Sequence, residues 1–204
     1  MKKVLLSLML VLVLSVSAFA GATTTFGYNS DTVISSDAVA LAIPFSSNRQ
    51  ITGTYINVIT DDLTAEVYAL TLAATTGATV HVISAAVAVG GAIISVESSA
   101  HLSVGDWIYL KDRDIFENVE LHRIEFIHST VAIEIWDTTA FAYAAKDLIY
   151  EMQANSMLDP AGVAEVEYSN DTCLVAESVG QPVGLYIDVA AAGRITAGGY
   201  YGTN

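Results

Sequence analysis

After its first twenty or so residues the chain is written almost entirely in β grammar. Runs rich in Val, Ile, Thr and Tyr are broken at intervals of about 8–12 residues by clusters of Gly, Asn, Asp and Ser. These runs predict strands at about Val39–Phe45, Gln50–Thr60, Ala65–Ala74, Thr79–Ala85, Ala92–Val96, Asp106–Lys111, Asn118–His128, Val131–Trp136, Asp147–Gln153, Val163–Tyr168, Cys173–Glu177, Val183–Val189 and Gly193–Ala197. No long segment after the first twenty residues carries a capped 3.6-residue apolar period. The best helix candidate, Ala140–Lys146, is short. The fold class that follows is all-β, in sandwich or barrel architecture.

The opening segment is of another kind. Lys2 and Lys3 precede an apolar stretch from Val4 to Val16, and Ala18-Phe19-Ala20 follows before Gly21. A basic start, an apolar middle and a small-x-small end are the three parts of a secretory signal peptide. Cleavage is expected after Ala20, so the mature protein is secreted or held at the cell surface, with no stable membrane span. The apolar run is barely as long as the roughly 20 residues a bilayer crossing needs.

Composition narrows the function. The chain has 8 Lys+Arg against 22 Asp+Glu, a net charge of −14. Without Lys2 and Lys3 the charge is about −16. Nucleic-acid phosphates need a basic footprint, so such a partner is excluded. The 53% apolar content excludes disorder. It barely falls when the leader is removed, so the surplus belongs to the mature chain.

Residues 97 to 151 hold four of the six Lys and Arg that follow the leader, both Trp and three of the four His. The flanks are richer in Ala, Thr, Ser and Gly. The expected organisation is a signal peptide over 1–20 and an antiparallel β-sandwich formed by 21–92 and 154–204. A small five-stranded β-barrel-like module over 93–153 is inserted between the two halves. Two consecutive domains are the alternative.

The densest chemistry lies in Glu120–His128, with two His, two Glu and an Arg. In a strand, alternate side chains share a face. His122 and His128 would then stand about 20 Å apart on one face, too far to share a metal ion. Glu120 and His122 are face neighbours and are expected to form a structural pair. Asp112 and Asp114, in the loop after Lys111, would offer two oxygens to Ca2+, a weak expectation because the EF-hand spacing fails and Lys111 and Arg113 oppose a cation. No nucleophile elbow, zincin pattern or phosphate-cradling loop is present. No catalytic, cofactor or metal residue is assigned, and an enzyme is not expected. Cys173, the single thiol, beside Leu174 and Val175, is read as a buried strand position.

Aromatics gather at Trp107, Tyr109, Phe116, Phe126, Trp136, Phe141, Tyr143 and Tyr150, and are expected to fill the inserted module's core. The Gly-rich tail 198–204, with Tyr200 and Tyr201, reads as flexible and free to dock on a neighbour. Trp107, Trp136, Tyr200 and Tyr201 are therefore the candidate ligand or subunit contacts.

These features point to a secreted, non-enzymatic structural subunit. Its partners would be copies of itself, in a filament, sheath or coat outside the cell or on a virion. A secreted module binding a glycan or other surface polysaccharide is one alternative. An outer-membrane β-barrel is another, disfavoured by the short runs and the Gly-Thr-Asn end.

Overall fold

The computed structural model describes residues 23–33, 39–45, 49–60, 66–73, 79–158, 165–168, 180–188 and 193–203. The expected signal segment, 1–20, and Cys173 lie outside them. Among the described residues the chain is all-β, without helix. Its strands are β1 (Thr23–Val33), β2 (Val39–Ile43), β3 (Ile51–Thr60), β4 (Glu66–Leu72), β5 (Val80–Val82), β6 (Ile93–Ser95), β7 (Trp107–Lys111), β8 (Val119–Ser129), β9 (Ala132–Ile135), β10 (Leu148–Leu158), β11 (Glu165–Tyr168), β12 (Val183–Asp188) and β13 (Gly193–Thr203).

All pairings between them are antiparallel. A four-stranded sheet runs β1-β13-β3-β11, and a nine-stranded sheet runs β2-β12-β4-β10-β7-β8-β9-β6, with β5 beside β10. Strands from either side of the central segment therefore pair with one another.

The nine-stranded sheet curls into a half-barrel. Along the sheet β8 is four places from β12, yet a Cβ built on Gly184 of β12 would collide with the Leu121 side chain of β8. Only Gly allows that approach. The curl is tied by two long-range bonds. Tyr109 Oη donates to the Ile43 carbonyl at 2.7 Å, and Lys111 Nζ donates to the Phe45 carbonyl at 2.8 Å. Phe45 packs between these donors, its ring 5.5 Å from Tyr109 and 5.5 Å from Tyr150. The Lys111 ammonium lies 4.7 Å from the Phe45 ring. Burial lowers the Lys111 pKa, and Asp112 partly opposes that.

Strand alternation explains how one layer serves two cores. Tyr109, Leu121, Tyr150 and Met152 point into the curl with Leu70, which stands opposite Gly184 in register. Their neighbours Ile108, Leu110, Ile124 and Ile149 join a second core with Ile83, Ile94, Val96, Ile133, Ile135 and Tyr143. β7, β8 and β10 thus contribute side chains to both, as opposite faces of a pleated strand allow. Continuous apolar runs such as Trp107-Ile-Tyr-Leu are what a strand covered on both faces requires.

Several expectations change here. The Ala140–Lys146 helix candidate is a bend carrying an isolated bridge between Val87 and Tyr143. The tail expected to be flexible is strand as far as Thr203, central in its sheet between β1 and β3. Thr23–Val33, for which no strand was expected, is β1. The expected strand over 173–177 lies outside the described residues.

The aromatics also divide differently from expectation. Of the eight, only Tyr143 enters the second core. Trp107, Tyr109 and Tyr150 belong to the first core, and Phe116, Phe126, Trp136 and Phe141 are exposed. The second core is filled by aliphatic residues, which leaves the rings outside it.

Removing packing from the shared layer should weaken the whole fold. In urea melts, Ile108→Ala should cost about 2–5 kcal/mol. Tyr109→Phe, which strands the Ile43 carbonyl, should cost about 1–3 kcal/mol. Gly184→Ala should cost about 1–3 kcal/mol by overpacking. A Gly184→Ala variant as stable as the parent would contradict the curl closure.

Candidate functional site

The Glu120 region is the densest polar cluster; both Glu120 oxygens are engaged, while the buried His122 Nδ1 has no hydrogen-bond partner. Glu120 Oε2 accepts from His122 Nε2 at 3.0 Å and from the Ala140 N–H at 2.8 Å. Oε1 accepts from the Phe141 N–H at 3.0 Å and from Tyr143 Oη at 2.9 Å. The expected Glu120–His122 pair therefore exists, and Tyr143 joins it. Four donors on one carboxylate pin the 139–143 loop to β8. Burial alone would raise the Glu120 pKa. The His122 bond and the two backbone N–H groups outweigh that and hold it below the usual carboxylate range. Burial, reinforced by the Glu120 charge, pushes the Tyr143 hydroxyl far up. The cluster is thus a loop anchor.

The strict alternation expected through Glu120–His128 is broken by two register shifts against β9, the first a β-bulge between Ile124 and Phe126 and the second between Ile127 and Ser129. Before the first, His122 and Ile124 face inward. After it, Phe126 and His128 are exposed while Ile127 packs against the second core. His128 Nε2 pairs with Glu134 across the hairpin at 2.7 Å. An extra residue re-aims the strand, which a period-two reading cannot foresee.

Asp112 is buried, and its oxygens are used by its own loop. Oδ1 accepts from the Asp114 and Ile115 N–H groups at 2.8 and 3.0 Å, and Oδ2 from Asn118 at 3.2 Å. Burial works to raise its pKa, but these bonds, with Lys111, hold it low. Asp114 is exposed. Among the described residues, no three His, Cys, Asp or Glu are placed to hold a metal ion. A shallow cleft of about 520 Å3 opens beside this loop, lined by Ala86, Ala88, Ala142 and Ala144 with Asp112, Asp114 and Tyr143. Asp112 and Tyr143 are the two polar side chains there already committed to partners.

The four contact candidates separate. Trp107 is half-buried on the first core, its ring 4.2 Å from Tyr186. Trp136 is 56% exposed, with the Arg123 guanidinium 5.7 Å from its ring. Tyr200 stands opposite Thr25 and Tyr55, and Tyr201 opposite Thr24 and Thr54, inside a three-strand register. Ile93 and Phe126, both exposed, flank Glu134 in register on the same three-stranded face as Trp136. Sequence pattern marks neither, because Ile93 sits in an ordinary apolar strand run and Phe126 among rings that suit a core.

The most open feature is backbone. Among the described residues, no strand pairs with the outer edge of β1 or of β11. β1 is eleven residues long, with no Lys, Arg or Pro and a single acid, Asp31. Charges and Pro are among the devices that normally blunt an edge; a bulge is another, and β1 carries one register shift, between Ser30 and Val33.

Two buried carboxylates should give opposite pH signatures. Glu120, with a lowered pKa, stabilises the fold above the ordinary Glu value near 4.3, and that contribution is lost as pH falls through its lower folded value. Burial, aided by Asp106 and opposed by His101, raises the Glu151 pKa. Its contribution is present below the ordinary Glu value and lost as pH rises through the raised one. Urea melts across pH should therefore show Glu120→Gln less stable at neutral pH and flatter in acid. Glu151→Gln should be more stable at neutral pH. A destabilised Glu151→Gln at pH 7 would contradict the assignment.

No family model and no curated protein matches the chain. Among solved structures, VP17, a capsid protein of bacteriophage P23-77, is similar at 10% identity and a TM-score of 0.16, over 89% of this chain and 96% of that one. The infectious bursal disease virus Gx strain is similar at 11% identity and a TM-score of 0.14, over 90% of this chain and 37% of that one. The VP2 subviral particle of infectious bursal disease virus is similar at 11% identity and a TM-score of 0.12, over 90% and 42%. Likenesses at these scores carry no argument about this chain.

Proposed function

We propose that the protein is an exported, non-enzymatic structural subunit that self-assembles into an extracellular, cell-surface or virion-like assembly. The observation that carries this reading is the pair of strand edges on the four-stranded sheet that have no partner among the described residues. An edge presents a row of free N–H and C=O groups, and a second copy satisfies them by adding a strand. The polar side chains inside the body support the same reading. Glu120 and Asp112, which a sequence search marks as chemistry, hold loops in place.

The finer architecture belongs to this reading. By alternation Gly184 faces the curl interior, so Val183, Leu185 and Ile187 face away from it, and they too are buried. Ile51 at the start of β3 belongs to the same core. This supports a sandwich in which the four-stranded sheet covers the outer face of β2-β12-β4. The module formed around the second core would project from it.

A second reading, a polysaccharide-binding surface, has one specific support. Ile93, Phe126 and Trp136 are exposed on one sheet face among Arg123, His128 and Glu134. Flat rings interleaved with hydrogen-bonding groups suit sugar stacking.

Sedimentation velocity of the mature protein tests the first reading. It should show a species larger than one chain, and the double variant Thr25→Lys/Asn29→Lys should reduce it to a monomer while leaving the urea midpoint within about 1 kcal/mol. A parent protein that stays monomeric at high concentration would contradict self-assembly. Self-assembly that the lysines leave intact would place it elsewhere than on β1.

A further inference from the structure

The two edges of the four-stranded sheet, unpaired among the described residues, are unlike, and the difference selects a geometry. β11 has four residues, Glu165-Val166-Glu167-Tyr168, with two acids. It is short and charged, as protected edges are. β1 has eleven residues and one acid. A head-to-tail contact of β1 on a neighbour's β11 would match only four residues and set Asp31 beside a strand carrying Glu165 and Glu167. In a chain of net charge −14 such a contact gains no opposing charge.

A β1 edge meeting its own copy has neither fault. We infer that β1 is an isologous docking edge for β1 of a second copy, antiparallel about a two-fold axis, so that two four-stranded sheets become one continuous sheet. This inference rests on the self-assembly reading and specifies its first contact.

Strand geometry fixes the registers that qualify. In β1, alternate residues turn their backbone groups toward β13 and the remainder turn them outward. Outward groups of two copies meet only when paired residue numbers are of the same parity, so the axis passes through a residue. A register shift between Ser30 and Val33 leaves Thr23 to Ser30 as the regular stretch. The axis therefore falls at Phe26, Gly27 or Tyr28. With Gly27 on the axis, Thr23 faces Asp31 and Thr25 faces Asn29. The two Asp31 residues are then about 27 Å apart, beyond the screening length of about 8 Å at physiological salt. Aligned strands of like composition pair here without a like-charge contact. An isologous contact also closes on itself, so growth beyond the dimer would use other surfaces.

Single cysteines at the axis test this. Phe26→Cys, Gly27→Cys and Tyr28→Cys, each in a Cys173→Ser background, are oxidised with copper phenanthroline and run on non-reducing gels. Sedimentation velocity is measured on the Cys173→Ser parent. The expected result is a discrete dimer and efficient cross-linking at one of the three positions. Cysteines at Val166 and Glu167 should leave monomer under the same oxidation. A parent that assembles while none of the three axial cysteines cross-links would overturn the β1·β1 contact and leave self-assembly standing. Mixed cross-linking between a β1 cysteine and a β11 cysteine would overturn it in favour of head-to-tail growth. A monomeric parent would overturn both readings.

Discussion

The constraint on which the structure depends is the two-sided burial of β7, β8 and β10. One layer of backbone supplies Tyr109, Leu121 and Tyr150 to the curl, and Ile108, Ile124 and Ile149 to the second core. Neither core is complete without it. A polar residue on either face would be left in an apolar interior, so each one found there is held by named partners or shows a displaced pKa. Glu120 has four donors, and Glu151 is pushed toward its neutral form by burial. The same demand explains the apolar surplus of the sequence. A chain with two cores around one layer needs more inward-facing residues than a single-layer sheet of equal length.

Much of this was legible. β2 to β12 fall within a few residues of their apolar runs, because alternation and turn residues act locally. Glu120 and His122 were read as face neighbours and are bonded at 3.0 Å. Three things were not legible, each for a physical reason. The bulge at Glu125 adds one residue and reverses the faces beyond it, with no local signature in composition. β1, with its run of threonines and little apolar character, lacks the alternation of a half-buried strand; its partner β13 supplies its pairing. The Gly-rich end of β13 reads as a tail. It is a strand because β1 and β3 bracket it on both sides, and that is a long-range fact.

The division of the aromatics carries the functional consequence. Rings that would have filled a small barrel are partly drawn to the curl, and the remainder, Phe126 and Trp136 among them, stand outside. The polar clusters hold loops, so among the described residues the open features are the surface rings and the strand edges. Of these, the β1 edge is the one whose unsatisfied groups have a defined partner chemistry, a second strand of matching length and low charge.

Hydrogen exchange along β1, measured as a function of protein concentration, tests that claim most directly. If β1 pairs with a second copy, alternate amides of Thr23–Ser30, those pointing away from β13, should slow together as concentration rises. Amides of Glu165–Tyr168 on β11 should not change over the same range. Exchange in β1 that is independent of concentration, in a protein otherwise protected across β7 and β10, would contradict the account.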